Sequence, residues 1–235
     1  MIKKAGVWSC IILLFCSAVF FGCRQGAVSP AADKTVVAAD EVEALKRLAS
    51  ANGCELFDGL YITELFPFSG RYPEDGSDRE TQNTAAVRLV NLSTVSYRYV
   101  AFTLTCGEEN YSFFISTLLP GAKATVLETD GLPLVNGEIS SAEVTAIEAF
   151  DQLPSVYLDV FRISYADGAL TLENRTDADR KNVCVYYKSV DENGYFGGIT
   201  YKVAIGDLTP GQSVTLAAEK LSATNSRIVF VTYDD

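Results

Sequence analysis

The segment YPEDGSDRE, residues 72–80, contains four carboxylates that could bind a cation or transfer protons: Glu74, Asp75, Asp78 and Glu80. Spaced carboxylate oxygens on a loop that contains glycine suit Ca²⁺, which takes about six to eight oxygen ligands. The D-x-[DN]-x-[DN]-G order of an EF-hand is absent. Three interpretations of this loop therefore stay open: a Ca²⁺ site, a contact for a partner and a plain solvated loop.

Paired carboxylates can also act as the acid and base of a glycoside hydrolase, and Asp75 with Asp78 would be the candidate pair. Such pairs usually lie in a sugar-binding cleft, often lined by Trp, and the only Trp of the chain is Trp8. The chain contains no His, which excludes Ser-His-Asp and Cys-His catalysis as well as His-ligated zinc. The composition favours a protein that is not an enzyme.

The charge balance limits the partners. The chain has 30 acidic and 19 basic residues and a net charge of −11. A strongly acidic chain repels nucleic acid and anionic lipid surfaces, and no basic stripe argues otherwise. We expect no nucleic-acid partner and no cofactor other than the Ca²⁺ considered above.

Residues 1–23 have the layout of a secretory signal: two lysines precede an uncharged, mostly apolar run that stops at Cys23. A Cys that follows a small residue, here Gly22, resembles a bacterial lipobox, in which the Cys becomes the acylated first residue of the mature chain. The alternative is an uncleaved membrane helix, because such a run just crosses roughly 30 Å of hydrocarbon. Both interpretations place the remainder on the extracytoplasmic face of the cell membrane, with residues 24–39 as a flexible tether.

Residues 40–53 predict one short amphipathic helix, with Asp40 as the N-cap, Glu43 completing a capping box and Gly53 ending the helix. After Gly53 the apolar residues recur with a period of two, which is typical of strands. The strand-like stretches are 60–65, 85–91, 97–105, 111–116, 124–128, 143–150, 156–164, 169–174, 182–189, 198–205, 213–218 and 226–233. Short strands in this number, with almost no helix, predict β-sandwiches.

The strands fall into two copies of one six-stranded unit. A shift of 83 residues places Asn91 on Asn174, and a shift of 90 places the turn Pro120-Gly121 on Pro210-Gly211. The alternating apolar residues keep the same register between these points. Both asparagines begin an N-x-[ST] pattern, which we interpret as a side chain that caps a turn.

The repeat sets the predicted fold class and domain organisation. We expect an all-β protein with two tandem immunoglobulin-like β-sandwiches, the first at residues 54–151 and the second at residues 152–235. The signal or anchor segment and the short helix precede them. The junction between the copies is short, so we expect the two sandwiches to lie close together.

The second copy resembles a known type of module. Its segment NVCVYYKSVDENGYFGG, followed by IGDLTPGQSVTL, is similar to the FxLYD-type β-sandwich domains of exported proteins from Gram-positive bacteria. The resemblance covers roughly residues 168–218 and is weaker over 85–128. It departs from the pattern where Lys188 replaces the Asp that follows Tyr in the family. The whole layout is similar to uncharacterised lipoproteins of clostridia-like bacteria, so the resemblance implies an architecture and no catalytic residue.

The two copies differ in two insertions, and binding residues usually lie on loops over a rigid scaffold. Copy two carries additional residues between its third and fourth strands, within 191–198. There Asp191 and Glu192 begin a turn, and Tyr195 and Phe196 are the aromatics at its tip. Copy one carries a longer insertion between its first two strands, and that insertion holds the acidic loop.

These observations favour a membrane-tethered exported lipoprotein that acts as a non-enzymatic binding or scaffolding module at the cell envelope. Its contacts with an unidentified envelope protein or glycan would be the loops 66–82 and 191–198. One alternative is an extracytoplasmic binding protein for a glycan or Ca²⁺, with a pocket between the sandwiches. The other is an enzyme that acts on glycans with carboxylates alone.

The cysteines and tyrosines leave further alternatives. Cys54, Cys106 and Cys184 follow the signal, and an odd number is not a disulfide framework. Either a single disulfide joins Cys54 to Cys106, or all three are small buried side chains. The alternation places Tyr97 and Tyr99 on one face of their strand, where they form either part of a sugar-stacking surface or ordinary cross-strand aromatic pairs.

Overall fold

The computed structural model describes residues 38–73, 79–135 and 137–234. Within these residues one helix, α1 (Ala39–Asn52), precedes a series of β-strands. The strands are β1 (Cys54–Phe57), β2 (Leu60–Tyr72), β3 (Arg79–Asn91), β4 (Tyr97–Cys106), β5 (Glu109–Leu118), β6 (Lys123–Leu127), β7 (Ser141–Ala149), β8 (Phe161–Ala166), β9 (Ala169–Asn174), β10 (Arg180–Ser189), β11 (Phe196–Gly197), β12 (Tyr201–Leu208), β13 (Ser213–Ala217) and β14 (Ser226–Asp234). The prediction of an all-β, sandwich-like fold with one short helix is confirmed.

These strands form four sheets. In the first half the order is β1-β2-β3-β6-β11 in one sheet and β5-β4-β7 in the other. In the second half the orders are β13-β9-β8 and β12-β10-β14. The order β2-β3-β6 with β5-β4-β7 therefore matches β8-β9-β13 with β12-β10-β14, strand for strand. All described pairings are antiparallel except that of β11 with β6.

Each half has its own hydrophobic core between its two sheets. We call residues 54–149 sandwich one and residues 156–234 sandwich two. The core of sandwich one joins β2, β3 and β6 to β4 and β5, with Ile62, Val87 and Phe102 almost fully buried. The core of sandwich two joins β8 and β9 to β10, β12 and β14 in the same manner. Side chains that alternate along each strand bury one face of each sheet, as the period of two predicts.

The repeat extends to individual hydrogen bonds. Asn91 is fully buried, and its amide donates to the carbonyls of Val95 at 2.8 Å and Leu118 at 3.3 Å, while its side-chain oxygen accepts from the hydroxyl of Ser93 at 2.7 Å. Asn174 is equally buried and makes the matching bonds to Ala178 at 2.8 Å, Leu208 at 3.1 Å and Thr176 at 2.8 Å. Both asparagines therefore cap turns, as predicted, and neither side chain is accessible for modification.

Helix α1 packs on sandwich one. Leu45 and Ala49 are its buried residues, and Glu41 forms an ion pair with Lys123 of β6. The helix ends as predicted, where the Gly53 N–H donates to the carbonyl of Ala49 at 2.9 Å.

The start of α1 corrects the prediction of an Asp40 N-cap. Ala38 is the N-cap and makes no side-chain cap bond, so Asp40 lies inside the first turn. A carboxylate in the first turn interacts favourably with the positive end of the helix dipole, so Asp40 stabilises the helix without capping it.

The predicted signal or anchor at residues 1–23, its lipidation site Cys23 and residues 24–37 of the predicted tether lie outside the described residues. Among the described residues, no helix has both the length and the apolar character needed to cross a membrane.

Strand β4 departs from the predicted alternation at its start. Its pairing with β7 shifts register between Tyr97 and Tyr99, and this irregularity turns Tyr97 into the core, where it is 4% exposed. Tyr99 stays on the outer face and stacks on Phe114 with ring centroids 6.1 Å apart. The two tyrosines therefore do not share a face. Of the two alternatives that the sequence left open, Tyr99 forms the cross-strand aromatic pair, and a sugar-stacking face shared with Tyr97 is not formed.

Candidate functional site

The described residues of the acidic insertion of copy one extend the hairpin of β2 and β3. Strand β2 continues to Tyr72 and β3 begins at Arg79, so both arms of the insertion are paired strands. Tyr72 is fully buried, and its hydroxyl donates to the carbonyls of Glu128 at 2.6 Å and Thr129 at 2.5 Å. The guanidinium of Arg79 lies 4.5 Å above the Tyr72 ring. These contacts anchor the hairpin on the connection that follows β6.

Glu74, Asp75 and Asp78, three of the four carboxylates of the acidic segment, lie outside the described residues. Glu80 is on β3, where its carboxylate is 3.9 Å from the guanidinium of Arg71, and both side chains are 78% exposed. Among residues 38–73, 79–135 and 137–234, no three Asp, Glu or Cys side chains are grouped as metal ligands. The Ca²⁺ interpretation stays a prediction about the tip of the hairpin.

The insertion of copy two forms a tight turn organised by Asp191. Its carboxylate accepts hydrogen bonds from the backbone N–H groups of Asn193 and Tyr195, both at 2.9 Å. The Asp191 N–H in turn donates to the Tyr195 carbonyl at 3.0 Å. Glu192 is exposed at the tip. Asp191 therefore shapes the loop, which is the role expected of an aspartate that begins a turn.

The two aromatics of this insertion face sandwich one. Phe196 and Gly197 form β11, which pairs in parallel with Ala124 and Thr125 on β6, and the Phe196 side chain packs against the core of sandwich one. The ring of Tyr195 lies 5.2 Å from the guanidinium carbon of Arg88 on β3. The insertion that distinguishes copy two therefore makes an intramolecular contact through both of its aromatic residues.

A dense set of hydrogen bonds fixes this contact, and we call Lys188 together with residues 195–200 the clasp. The carbonyl of Gly198 accepts from the Ser116 N–H at 3.0 Å and from the Lys188 ammonium at 3.0 Å. The Thr200 N–H donates to the Ser116 hydroxyl at 2.8 Å, and the Lys188 ammonium also donates to the Ser116 carbonyl. Lys188 is 1% exposed. A buried ammonium must be hydrogen-bonded, so Lys188 holds the two sandwiches in one orientation.

The clasp forms one wall of a groove of about 740 Å³, which we call the Arg88 groove. Its lining comes from four parts of the chain. The first three are the C-terminal end of α1 with Asn52, strands β2 and β3 with Thr63, Glu64 and Arg88, and the clasp with Tyr195. Glu138 and Ile139, on the connection between β6 and β7, complete the lining. None of these elements alone would form the groove.

Arg88 is the central cation of the groove. Its Nη1 is 2.7 Å from the carboxylate of Glu64, and the two side chains are 39% and 43% exposed. Its guanidinium carbon lies 5.3 Å from the Phe66 ring and 5.2 Å from the Tyr195 ring. Its Nε is buried without a hydrogen-bond partner. Two rings and a carboxylate hold the side chain in place, so the groove is preorganised.

A second cavity, of about 540 Å³, lies between the two sandwiches at their junction. Its lining includes Arg98, Phe150, Tyr186 and Phe230. The rings of Tyr186 and Phe230 stack with centroids 4.2 Å apart, and Phe150 meets Phe230 edge to face at 5.4 Å. The aromatics of this cavity pack mainly on one another, and its lining also carries polar side chains such as Asp151, Gln152 and Thr200.

Cys54, Cys106 and Cys184 are free thiols, so the Cys54–Cys106 disulfide that the sequence left open is not formed in the structure. Burial, and next the neighbouring Cys106, raise the pKa of Cys54, while burial raises the pKa of Cys106. Both thiols therefore favour the protonated, unreactive form. Cys106 is buried in the core, and Cys54 and Cys184 are half-buried, close to the expectation of small buried side chains.

Sequence reasoning missed Arg88, Ser116 and Lys188. A signal existed for two of them, because Arg88 and Lys188 are charged residues inside apolar strand sequences, AAVRLVN and NVCVYYKS. Lys188 is also the position at which the chain departs from the FxLYD pattern. Ser116 gave no signal, since its role depends on a loop more than 80 residues away.

Comparison with known proteins found no family model that matches the chain and no curated protein that matches it significantly. The likeness to FxLYD-type domains therefore stays a prediction from the residues quoted above.

Proposed function

We propose that this chain is an exported, membrane-tethered, non-enzymatic binding module of the cell envelope, and that its ligand occupies the Arg88 groove. The observation that carries the proposal is the Arg88 side chain, which two aromatic rings and Glu64 hold in place beside a cavity of about 740 Å³. Ligand sites are commonly cavities of about 300–1,000 Å³ in which a few fixed polar groups converge.

The chemistry of the lining favours a glycan. Hydroxyl groups of a sugar both donate and accept hydrogen bonds, and the groove offers donors at Arg88 and Asn52 with acceptors at Glu64 and Asn52. Thr63 supplies a hydroxyl oxygen that accepts, because its hydrogen is donated to the Arg88 backbone carbonyl at 3.3 Å. The Tyr195 ring and Leu65 supply apolar surface for the C–H face of a sugar ring. This mixture of directional polar groups with one aromatic ring differs from the cavity at the junction, where the rings of Phe150, Tyr186 and Phe230 pack on one another.

The arrangement supports holding a ligand rather than transforming it. The Glu64 carboxylate already accepts a charge-assisted hydrogen bond from Arg88 at 2.7 Å. This charge-assisted bond engages Glu64 in holding the Arg88 side chain in place, which is the role of a binding residue. The alternative of an enzyme that uses carboxylates alone predicts shortened saccharides, and the same experiment detects them.

The test is a calorimetric titration of the full-length protein, in detergent micelles, with soluble saccharide fragments of bacterial cell wall. We expect saturable binding that weakens about 10-fold or more in Arg88→Ala and in Tyr195→Ala, since each variant removes a fixed contact. Arg162→Ala is the matched control, because Arg162 lies on sandwich two with its side chain 76% exposed and 3.7 Å from Glu173.

Three outcomes would contradict the proposal. The first is that no fragment binds the wild type. The second is that Arg88→Ala, with a circular dichroism spectrum like that of the wild type, binds as well as the Arg162→Ala control. The third is that mass spectrometry finds the saccharide cleaved, which would make the groove an active site.

A further inference from the structure

The two sandwiches differ in how one side is closed. In sandwich one, β5 and β6 are the edge strands of facing sheets, and we call the gap between them the first seam. Strand β11 closes it: Phe196 pairs with Ala124, Gly197 pairs with Thr125, and the Gly198 carbonyl accepts from Ser116 on β5. Phe196 packs against the core beneath. The first seam is thus closed by a short strand that carries an aromatic residue followed by glycine.

The matching gap in sandwich two, between β12 and β13, is the second seam. The repeat makes β12 the equivalent of β5 and β13 the equivalent of β6. Strand β13 is terminal in its sheet, and no described strand pairs with its outer edge. Gly206 takes the place that Ser116 has in sandwich one, and a Cβ on Gly206 would have no other heavy atom within 4 Å. The second seam therefore has space beside both of its strands.

Burial shows that the second seam is open to the core. Four inward-facing residues of the first seam are at most 1% exposed: Tyr111, Ile115, Ala124 and Val126. Their equivalents in the second seam are all only half-buried: Tyr201, Ile205, Val214 and Leu216. Equivalent positions in the two sandwiches thus differ in exposure: they are buried in the first seam, where β11 pairs with β6, and half-buried in the second seam, where no described strand pairs with the outer edge of β13.

We propose that the second seam is a docking site for an extended segment of a partner protein, which adds to β13 as β11 adds to β6. The segment would carry a large aromatic residue over Val214 and Leu216, followed by glycine, and would run parallel to β13. Addition of a strand to an exposed sheet edge is a common mode of peptide recognition, in which backbone bonds give affinity and side-chain pockets give specificity.

The structure favours a partner over the chain itself as the occupant. Among the described residues, the aromatic-glycine segment is Phe196-Gly197, and it is already seated in the first seam, where the clasp holds it. A second copy of the chain would have to release its own β11 before lending it. This inference does not depend on the glycan proposed for the Arg88 groove, because the second seam lies on the other sandwich.

The test uses a fluorescent peptide with the sequence of residues 192–200, ENGYFGGIT, titrated into the full-length protein. We expect saturable one-to-one binding and slower amide hydrogen exchange at residues 213–217. A peptide with Phe196→Ala should bind at least about 10-fold more weakly, because burial of a Phe side chain contributes most of the contact. Val214→Asp in the protein should abolish binding, whereas Arg162→Asp, at the exposed opposite edge of the same sheet, should not.

Several results would overturn this inference. One is that the peptide does not bind. Another is that the Phe196→Ala peptide binds as tightly as the original peptide, and this comparison uses the unchanged protein. Slower exchange confined to residues 123–127 would mean that the peptide only replaces β11 in the first seam. Self-association without peptide, with slower exchange at residues 213–217, would assign the second seam to another copy of this chain instead of a partner.

Discussion

Replacing Asn91 and Asn174 by Ala, one at a time, should destabilise the two sandwiches by nearly equal amounts. Each asparagine is fully buried and bonds two backbone carbonyls and the residue two positions on. The donor–acceptor distances agree between the copies within a few tenths of an ångström. Equivalent bonds in equivalent surroundings should contribute equivalent free energies of unfolding.

The size of the effect follows from the groups left without a partner. In Asn91→Ala the buried Leu118 carbonyl loses its donor, at a cost of about 1–3 kcal/mol, and two partly buried bonds contribute about 0.5–1.5 kcal/mol each. We therefore expect about 2–6 kcal/mol for each variant. Asn110, whose exposed side chain accepts one bond from Thr105, is the control, and Asn110→Ala should cost less than about 1 kcal/mol.

Urea unfolding followed by tyrosine fluorescence measures these changes. The double variant should lose the sum of the two single effects, because the sites belong to separate cores. A loss at one asparagine that is less than half of the loss at the other would refute the claim that the two copies are built alike.

Three further predictions concern buried groups. Lys188→Met should leave the carbonyls of Ser116 and Gly198 without a charged donor and lower the free energy of unfolding by about 2–4 kcal/mol. Urea unfolding should then split into two transitions, one for each sandwich. A single transition at the wild-type urea concentration would show that the clasp does not couple the sandwiches. Burial raises the pKa of Tyr187 to about 12, so its contribution to stability is complete below about pH 10 and is lost as the pH rises to 12. The melting temperature should therefore fall more steeply over this range in the wild type than in Tyr187→Phe, and parallel curves would contradict the assignment. Cys54 and Cys106 should resist alkylation at pH 7 until the protein is unfolded, which peptide mapping by mass spectrometry checks; rapid labelling of the native protein would show that the thiols are accessible.

Much of the fold was predictable because strand signals are local. The alternation of apolar residues, the turn residues and the repeated Leu-x-Pro-Gly turn predicted every strand of both six-stranded units. The side chains of Asn91 and Asn174 were predictable for the same reason, since a turn cap involves residues only two to four positions away. The arms of the acidic hairpin were missed: Phe66, Phe68 and Tyr72 keep a period of two, but Pro67 and Gly70 between them are residues that argue against a strand.

The candidate site was less predictable because its contacts are not local. Phe196 meets Ala124 across 72 positions of sequence, and nothing in the spacing of either segment indicates the other. The insertion of copy two was found by comparing the copies, but an insertion can equally be a free loop or a clasp. Its two aromatics were the relevant signal, because an exposed Tyr-Phe pair would leave apolar surface in water unless some other surface covered it.

The central claim is that the Arg88 groove holds a glycan. Hydrogen exchange of the full-length protein, with and without cell-wall saccharide fragments, tests it most directly. If a glycan binds there, amide exchange should slow at residues 63–65 on β2, around Arg88 on β3 and at Tyr195, and should stay unchanged at these places in Arg88→Ala. Slower exchange confined to the cavity at the junction, or no change anywhere in the wild type, would contradict it.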